Sequence, residues 1–402
     1  QLWILNMFTL IVTIAIILML VGIFYSLYQV PIMIVGLINL NRKEENEDPY
    51  FDDFVSIIIP AKNEENVIGR CLDSIIQQSY KNFEVIVVED GSSDNTFKIC
   101  KEYENKDDRI KCYHRDVSNG KPSALNYGFS ISKGNIIATF DADSVLDKNT
   151  IYNALMEMHS KDLDALQGEN YPINYKENLI TRMAVIDHGL IKISLSGRNN
   201  INLFLPLGGT NQYFKREALE KLNGWNEKYL TEDLEISLRM NLKKMKIEYS
   251  TNVRSGQETP ASLREFWKQR TRWYRGYHQV LFHNEKKLKS LKDFDSYFVI
   301  SAPLISSIWL IALVLLFLGF FTHTVTRMQF EILFYLGIFL LFLNVTILLL
   351  MSIKNYKLIA YLPIAYIYWF LSSIISFYSL ILEVSGRERQ WLKVTKTGKI
   401  TN

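Results

Sequence analysis

Cysteine is scarce: Cys71, Cys100 and Cys112 are the only three in 402 residues, and no pair has C-x-x-C spacing. An odd number spaced this way excludes a disulfide framework and argues against a zinc site; it fits reduced thiols in a cytosolic compartment. Strong charge of either sign is also missing, since 45 Lys and Arg against 42 Asp and Glu leave a net +3. A nucleic-acid protein would carry a pronounced basic excess, so no nucleic-acid partner is expected. The six histidines lack metal-ligand spacing, and His188 stands in an apolar stretch where packing or a hydrogen bond accounts for it.

Charge is absent locally as well. Leu2 to Leu40 contains no Lys, Arg, Asp or Glu. About 20 such residues cross a bilayer, so the run reads as a spanning helix with length to spare. No basic region precedes it, which separates it from a cleavable signal peptide. Pro31 marks either a kink or the end of the span. Three more apolar runs, Tyr297–Phe321, Phe330–Met351 and Leu358–Val384, are each long enough to cross. Basic residues flank these runs at Arg42-Lys43, Lys286–Lys289 and Lys354–Lys357, which places the polar middle of the chain on the cytoplasmic side of a cell membrane. Three crossings after that region would leave the basic tail Arg387–Lys399 outside, against the same rule. Either one run fails to cross, or the tail breaks the rule. The expected organisation is an N-terminal transmembrane helix (1–40), a soluble domain (51–249), interfacial helices (250–295), three apolar segments (297–384) and a basic tail (385–402) in contact with membrane lipids.

The polar middle alternates short apolar runs with amphipathic segments. Val55–Ile59 is β-branched and reads as a buried strand ending at Pro60; Glu84–Val88 and Asn135–Phe140 read the same way, as does the short Gln212–Phe214. Glu65–Gln78, Thr96–Glu104 and Pro122–Ser132 read as helices, the last with Pro where its missing N–H costs nothing. This alternation predicts an α/β domain with a mostly parallel sheet, whose ligands bind beyond the carboxyl ends of the strands.

Unusual polar residues stand at those ends. The first strand runs into Pro60-Ala61-Lys62-Asn63-Glu64-Glu65, the second into Glu89-Asp90-Gly91-Ser92-Ser93-Asp94, and the third delivers Asp141-Ala142-Asp143. Each alone is a plausible turn or cap. Together they describe a site: two carboxylates one residue apart bind a divalent cation through oxygen, and such a cation bridges the phosphates of a nucleotide. Lys121 at a helix start adds a point charge. Downstream, Gln269, Arg272 and Trp273 fall at i, i+3 and i+4 on one helical face. Alone they suit a basic helix on a membrane surface; beside a nucleotide site they suit a sugar diphosphate.

Five motifs in order, Pro60–Glu65, Glu89–Asp94, Asp141–Asp143, Thr231-Glu232-Asp233 and Gln269-x-x-Arg272-Trp273, resemble the inverting glycosyltransferases of family 2. The likeness is to the membrane-integrated processive branch that makes poly-N-acetylglucosamine, hyaluronan and cellulose, and it covers about Val55 to Gly276. The resemblance implies a GT-A (Rossmann-like) fold. It also implies that Pro60, Ala61, Glu64, Asp90, Lys121 and Asp141 hold the nucleotide sugar and that Asp143, with Asp141, ligates Mg2+ or Mn2+. Asp233, with Glu232 beside it, would be the catalytic base; Gln269 and Arg272 would meet the diphosphate, and Gly208, Gly209, Thr210 and Trp273 the acceptor. Lys62 departs from the pattern, since many relatives carry an aromatic residue there that stacks on the base.

The expected enzyme is an inverting, metal-dependent and processive polysaccharide synthase using a UDP-linked or similar donor. Two alternatives are single transfer to a lipid-linked acceptor and an inactive membrane scaffold; the presence of Asp143 and Asp233 speaks against the scaffold. Four apolar segments are few for a polymer channel, so a small membrane partner subunit or a homo-oligomer is expected.

Overall fold

The structure is a computed structural model that describes residues 2–40, 50–284, 288–322, 327–332, 334, 335, 337, 362–389 and 393–401. Most of the expected apolar segment Phe330–Met351 lies outside these residues.

Helix α1 (Leu2–Asn39) continues through Pro31 for two further turns, so the proline does not end it. The α/β domain follows. Strands β1 (Val55–Ala61), β2 (Phe83–Glu89), β3 (Ile110–His114) and β4 (Ile136–Thr139) pair in parallel, in the order β3-β2-β1-β4. Their runs of Val and Ile are buried on both faces, as a parallel sheet covered by helices requires. The sheet continues through β7 (Gln212–Lys215), β6 (Ala165–Pro172), β8 (Ile247–Gln257) and the two-residue β5 (Val145–Leu146). In this half only β6–β8 is parallel; the β4–β7, β6–β7 and β5–β8 pairings are antiparallel. The expected mostly parallel sheet is therefore present, with a mixed edge. β8 runs on to Gln257, past the boundary at 249 expected from the sequence.

One face of the sheet packs on α2 (Ile68–Ile76), α3 (Thr96–Glu104) and α5 (Thr150–Ser160), through Ile57, Ile59, Leu72 and Leu155. The other face packs on α4 (Lys121–Ile131), α7 (Arg216–Leu222) and α8 (Glu232–Leu242), through Ile58, Leu125, Leu219 and Ile236. Fully burying each such aliphatic side chain stabilises by roughly 1.5–3 kcal/mol, so both layers are strongly held.

The remaining helices join this domain to the apolar segments. α6 (Leu179–Asn200) starts in a capping box between Asn178 and Thr181. α9 (Leu263–His283) starts with the Ser262 hydroxyl accepting the Glu265 amide. α10 (Leu291–Ile300) leads into α11 (Ala302–Phe321), and α12 (Leu362–Val384) closes the helical set. α1 lies against α6 and α11, and α12 against α9 and α11. Ser306 and Ser307 of α11 bond to Ser373 and Ser376 of α12 at 2.8 and 3.1 Å, the small-residue contact that lets apolar helices approach closely. Among the described residues, Val12–Asn39, Ala302–Phe321 and Tyr366–Val384 are long and apolar enough to cross a membrane.

α11 meets the domain at its start, and α12 lies along α9, with Tyr368 near its start bonded to Arg270. At the end of α12, Glu383 pairs with Arg275 of α9 at 3.2 Å. The tail then folds back across the domain, where the Thr401 amide donates to the Ile173 carbonyl at 2.9 Å. The tail therefore lies against the domain.

Candidate active site

The carboxyl ends of β1, β2 and β4 open onto a cavity of about 640 Å³. Parallel registration sets its geometry, because Ala61 of β1 lies opposite Glu89 of β2, and Asp141 follows β4 after Phe140. Of the residues expected from the sequence, Pro60, Ala61, Glu64, Asp90, Lys121, Asp141, Asp143, Gly208, Gly209, Glu232, Asp233, Gln269, Arg272 and Trp273 all line it.

Thr210 does not. Its side chain is buried, and the hydroxyl accepts the Asp141 amide at 3.0 Å and meets Ser144 at 2.9 Å. Its hydroxyl contacts the backbone of the acidic pair and not the cavity. Thr231 stands where an N-cap would. It precedes α8, yet its hydroxyl makes no capping bond; the acids Glu232, Asp233 and Glu235 in the first turn suit the helix dipole instead.

At the nucleotide end, Asp90 Oδ2 accepts the Ser118 hydroxyl at 2.6 Å and the Gly120 amide at 3.2 Å, which draws the 118–120 loop onto β2. Glu89, fully buried beneath it, accepts the Ser92 amide at 2.5 Å and meets His114 Nδ1 at 2.5 Å. Burial pushes the Glu64 carboxyl up to about 7 although Lys393 opposes the shift.

Lys121 is the electrostatic hub. Its Nζ bonds to Asp141 Oδ1 and the Gly209 carbonyl, both at 2.7 Å, and lies 3.4 Å from Glu232. Burial works against its charge, but Asp141 and Glu232 outweigh burial and hold it protonated. Gly209 sits at φ +76°, and a Cβ there would come within 2.9 Å of Asp233 Oδ2. Only glycine lets this loop pass between Lys121 and Asp233.

Asp233 accepts the Leu234 amide at 2.8 Å and is pushed up to about 7, first by burial and then by Glu232. Arg272 lies among Glu232, Asp141 and Asp233; burial pulls its pKa below the usual value while the carboxylates push back. α9 is therefore not a surface helix at this point, since Gln269, Arg272 and Trp273 turn toward the cavity. Its close approach depends on Gly276, where a Cβ would lie 2.4 Å from Thr231.

The acidic pair offers hard oxygen donors. Asp141 Oδ2 accepts from Gln257 at 3.0 Å, and Asp143 Oδ2 accepts from the Glu258 amide at 3.3 Å. Asp143 also faces Lys396 at 2.6 Å, so this carboxylate already gathers a positive charge. Two carboxylates plus ligand phosphates form a donor set suited to Mg2+ or Mn2+. Among the described residues no group of three His, Cys, Asp or Glu side chains could hold a metal without such a ligand.

Several lining residues escaped the sequence reading: His188, Tyr368, Arg270, Lys393 and Lys396. The two lysines were visible only as tail basicity. Lys393 bonds to the Lys62 carbonyl at 2.7 Å and to the Asn63 carbonyl, and the Thr397 hydroxyl bonds to Glu258 at 2.8 Å. No local pattern announces such contacts.

The fold has known counterparts. The mannosyltransferase PcManGT of Pyrobaculum calidifontis, solved with GDP-Man and Mn2+, matches 94% of this chain and 100% of its own with a TM-score of 0.67 at 18% identity. The fold is GT-A. Residues 56–222 match Glycosyl transferase family 2, and the chain carries a domain of that family. The β-monoglucosyldiacylglycerol synthase of Trichormus variabilis is 33% identical over 56% of this chain and 49% of its own length. The poly-β-1,6-N-acetyl-D-glucosamine synthase of Staphylococcus aureus (strain MSSA476) is 28% identical over 74% of each. The chain spans about half the length of the curated relatives that match it at above 30% identity.

Proposed function

We propose that this chain is an inverting glycosyltransferase that moves a sugar from a nucleotide donor, UDP-linked or similar, onto a growing β-linked polysaccharide at the cytoplasmic face of a membrane. The observation that carries this reading is the position of Asp233. A half-buried carboxylate pushed up to about 7 lies beside the Gly208–Gly209 loop, on the same cavity as Asp141, Asp143 and Trp273. A base with that pKa accepts a proton from a sugar hydroxyl at neutral pH.

Each residue then has a task. Pro60, Ala61, Glu64 and Asp90 hold the nucleoside, while Lys121, Gln269 and Arg272 face the diphosphate. Asp141 and Asp143 would hold Mg2+ or Mn2+, which when bound neutralises the departing diphosphate. Trp273 and the Gly208–Gly209 backbone seat the acceptor's terminal sugar, and Asp233, with Glu232 raising its basicity, takes the hydroxyl proton. A single in-line attack inverts the anomeric centre, so an α-linked donor gives a β-linked product. We read 51–257 as the catalytic domain, with α9 and the tail completing its cavity.

The relative that makes poly-β-1,6-N-acetyl-D-glucosamine supports a polymer product, as does the Gln-x-x-Arg-Trp face inside the cavity. The diacylglycerol glucosyltransferase relative supports a second reading, transfer of one sugar to a lipid. One experiment separates them. Membranes containing the chain are incubated with labelled UDP-N-acetylglucosamine, UDP-glucose or GDP-mannose and Mg2+ or Mn2+, and the product is sized. Polymer from one donor supports the first reading, a labelled lipid of one added sugar supports the second, and no transfer from any donor removes both. With few described spans, a membrane partner subunit or a homo-oligomer would complete a polymer path; full synthesis by purified monomer would exclude that need.

A further inference from the structure

Arg270 lines the same cavity, in sequence between the Gln269 and Arg272 proposed to face the diphosphate. Its guanidinium carbon lies 4.5 Å from the centre of the Trp273 ring. Its Nη2 donates to the Asp187 carboxylate of α6 and, over 3.2 Å, to the Tyr368 hydroxyl of α12. Phe266, one turn earlier, presents its ring to the same guanidinium at 5.4 Å and packs on Tyr368 with ring centres 4.5 Å apart. Three helices thus converge on one planar cation.

The pair is internal: the Arg270 and Asp187 side chains are 11% and 17% exposed. A charge held this far from water costs desolvation, and the cost is repaid only where geometry is fixed. A guanidinium suits the place because it can donate at its edge while its face lies on an aromatic ring; an ammonium offers no plane to stack. A ring that receives a sugar needs such a support. An unheld indole would lose rotamer freedom on binding and weaken the acceptor by that amount.

We propose that Arg270 is a positioning residue of the acceptor site, fixing the plane of Trp273 and, through Asp187 and Tyr368, fastening that platform to α6 and α12. The inference rests on the polysaccharide reading above and deepens it. The acceptor it implies is a pyranose that lays its apolar face on the indole. It also makes α12, one of the candidate membrane spans, a determinant of acceptor use.

The test is a double-mutant cycle on the full chain in detergent, read as affinity for a β-linked N-acetylglucosamine tetrasaccharide and for its glucose counterpart, without donor. D187N/R270Q removes both charges together, so no buried carboxylate is left unpaired. In the wild-type background it should weaken the tighter oligosaccharide about fivefold or more; in a W273L background it should add nothing. Y368F, which deletes one hydroxyl, should give a smaller loss in the same direction. Affinity for the nucleoside diphosphate should stay unchanged throughout. Equal losses in both backgrounds, a parallel loss of diphosphate affinity, or wild-type protein that binds neither oligosaccharide would overturn the proposal. The polysaccharide reading fails on a separate result, consumption of donor by wild type with only single-sugar lipid as product.

Discussion

The Lys396 ammonium lies 2.6 Å from Asp143 Oδ2, so the tail neutralises a carboxylate that we propose as a ligand of a divalent cation. Burial works against the lysine's charge, but Asp143 outweighs burial and keeps it protonated. Two cations therefore seek one carboxylate. Lys396→Met should tighten Mn2+ binding in the absence of nucleotide by about fivefold, the scale of an ion pair worth ~1 kcal/mol. Electron paramagnetic resonance titration of free Mn2+ measures this directly. Unchanged affinity would mean that tail and metal do not compete.

The pH dependence of transfer should report Asp233. As the proposed base the residue would act in its ionised form, and burial with the neighbouring Glu232 charge pushes its pKa up to about 7. Transfer should therefore rise with pH and level off above about 7, falling about tenfold per unit below that point. Glu232→Gln removes a charge that raises this pKa, so the rising limb should move to lower pH. Asp233→Asn should abolish transfer and leave nucleotide binding intact. A flat profile between pH 5.5 and 8.5 would remove Asp233 as the base.

Much of this site was legible because parallel strands announce themselves. Val55–Ile59 and Glu84–Val88 are apolar runs that end in polar residues, and the sheet carries those ends to one edge. β3 was not read as a strand, since Ile110-Lys111-Cys112-Tyr113-His114 is short and carries a lysine on an edge position. β6 and β8 hide for a related reason. Gly168, Glu169 and Asn170, and later Asn252, Arg254 and Gly256, are poor strand formers, held here by long-range pairing. The Gly-Gly-Thr loop looked uniform in the sequence, yet Thr210 turns inward to hold the Asp141 amide while Gly209 faces the cavity. The sequence left the side of the tail open, and its bonds to backbone carbonyls of Lys62 and Asn63 leave no periodic trace.

A buried ion pair ties α6 to α10 at the joint between domain and apolar helices. Arg198 of α6 and Asp295 of α10 are each 2% exposed and meet at 2.8 Å; Asp295 also accepts the Phe204 amide at 2.8 Å and bonds the Tyr28 hydroxyl of α1. Asp295→Ala would leave a guanidinium buried without its carboxylate, a loss of about 3–5 kcal/mol. Thermal unfolding in detergent should shift downward sharply for Asp295→Ala, and less for Arg198→Met with Asp295→Leu, which removes both charges. A larger shift in the double variant would place the stabilisation elsewhere.

The position of the tail predicts an even number of crossings between α10 and Arg387. Ser93, at the nucleotide end of the domain, and Lys399, in the tail, are both exposed, and the tail is bonded to the domain as far as Thr401. Single cysteines at these sites should therefore react with a membrane-impermeant maleimide from the same side. Cys71, Cys100 and Cys112 are buried and should contribute little background. With the domain cytoplasmic, S93C and K399C should both be labelled in inverted vesicles and spared in intact cells. Labelling of K399C alone in intact cells would require an odd number of crossings and would detach Lys396 from Asp143. The contact between those two residues and the topology of the apolar helices therefore stand or fall on one measurement.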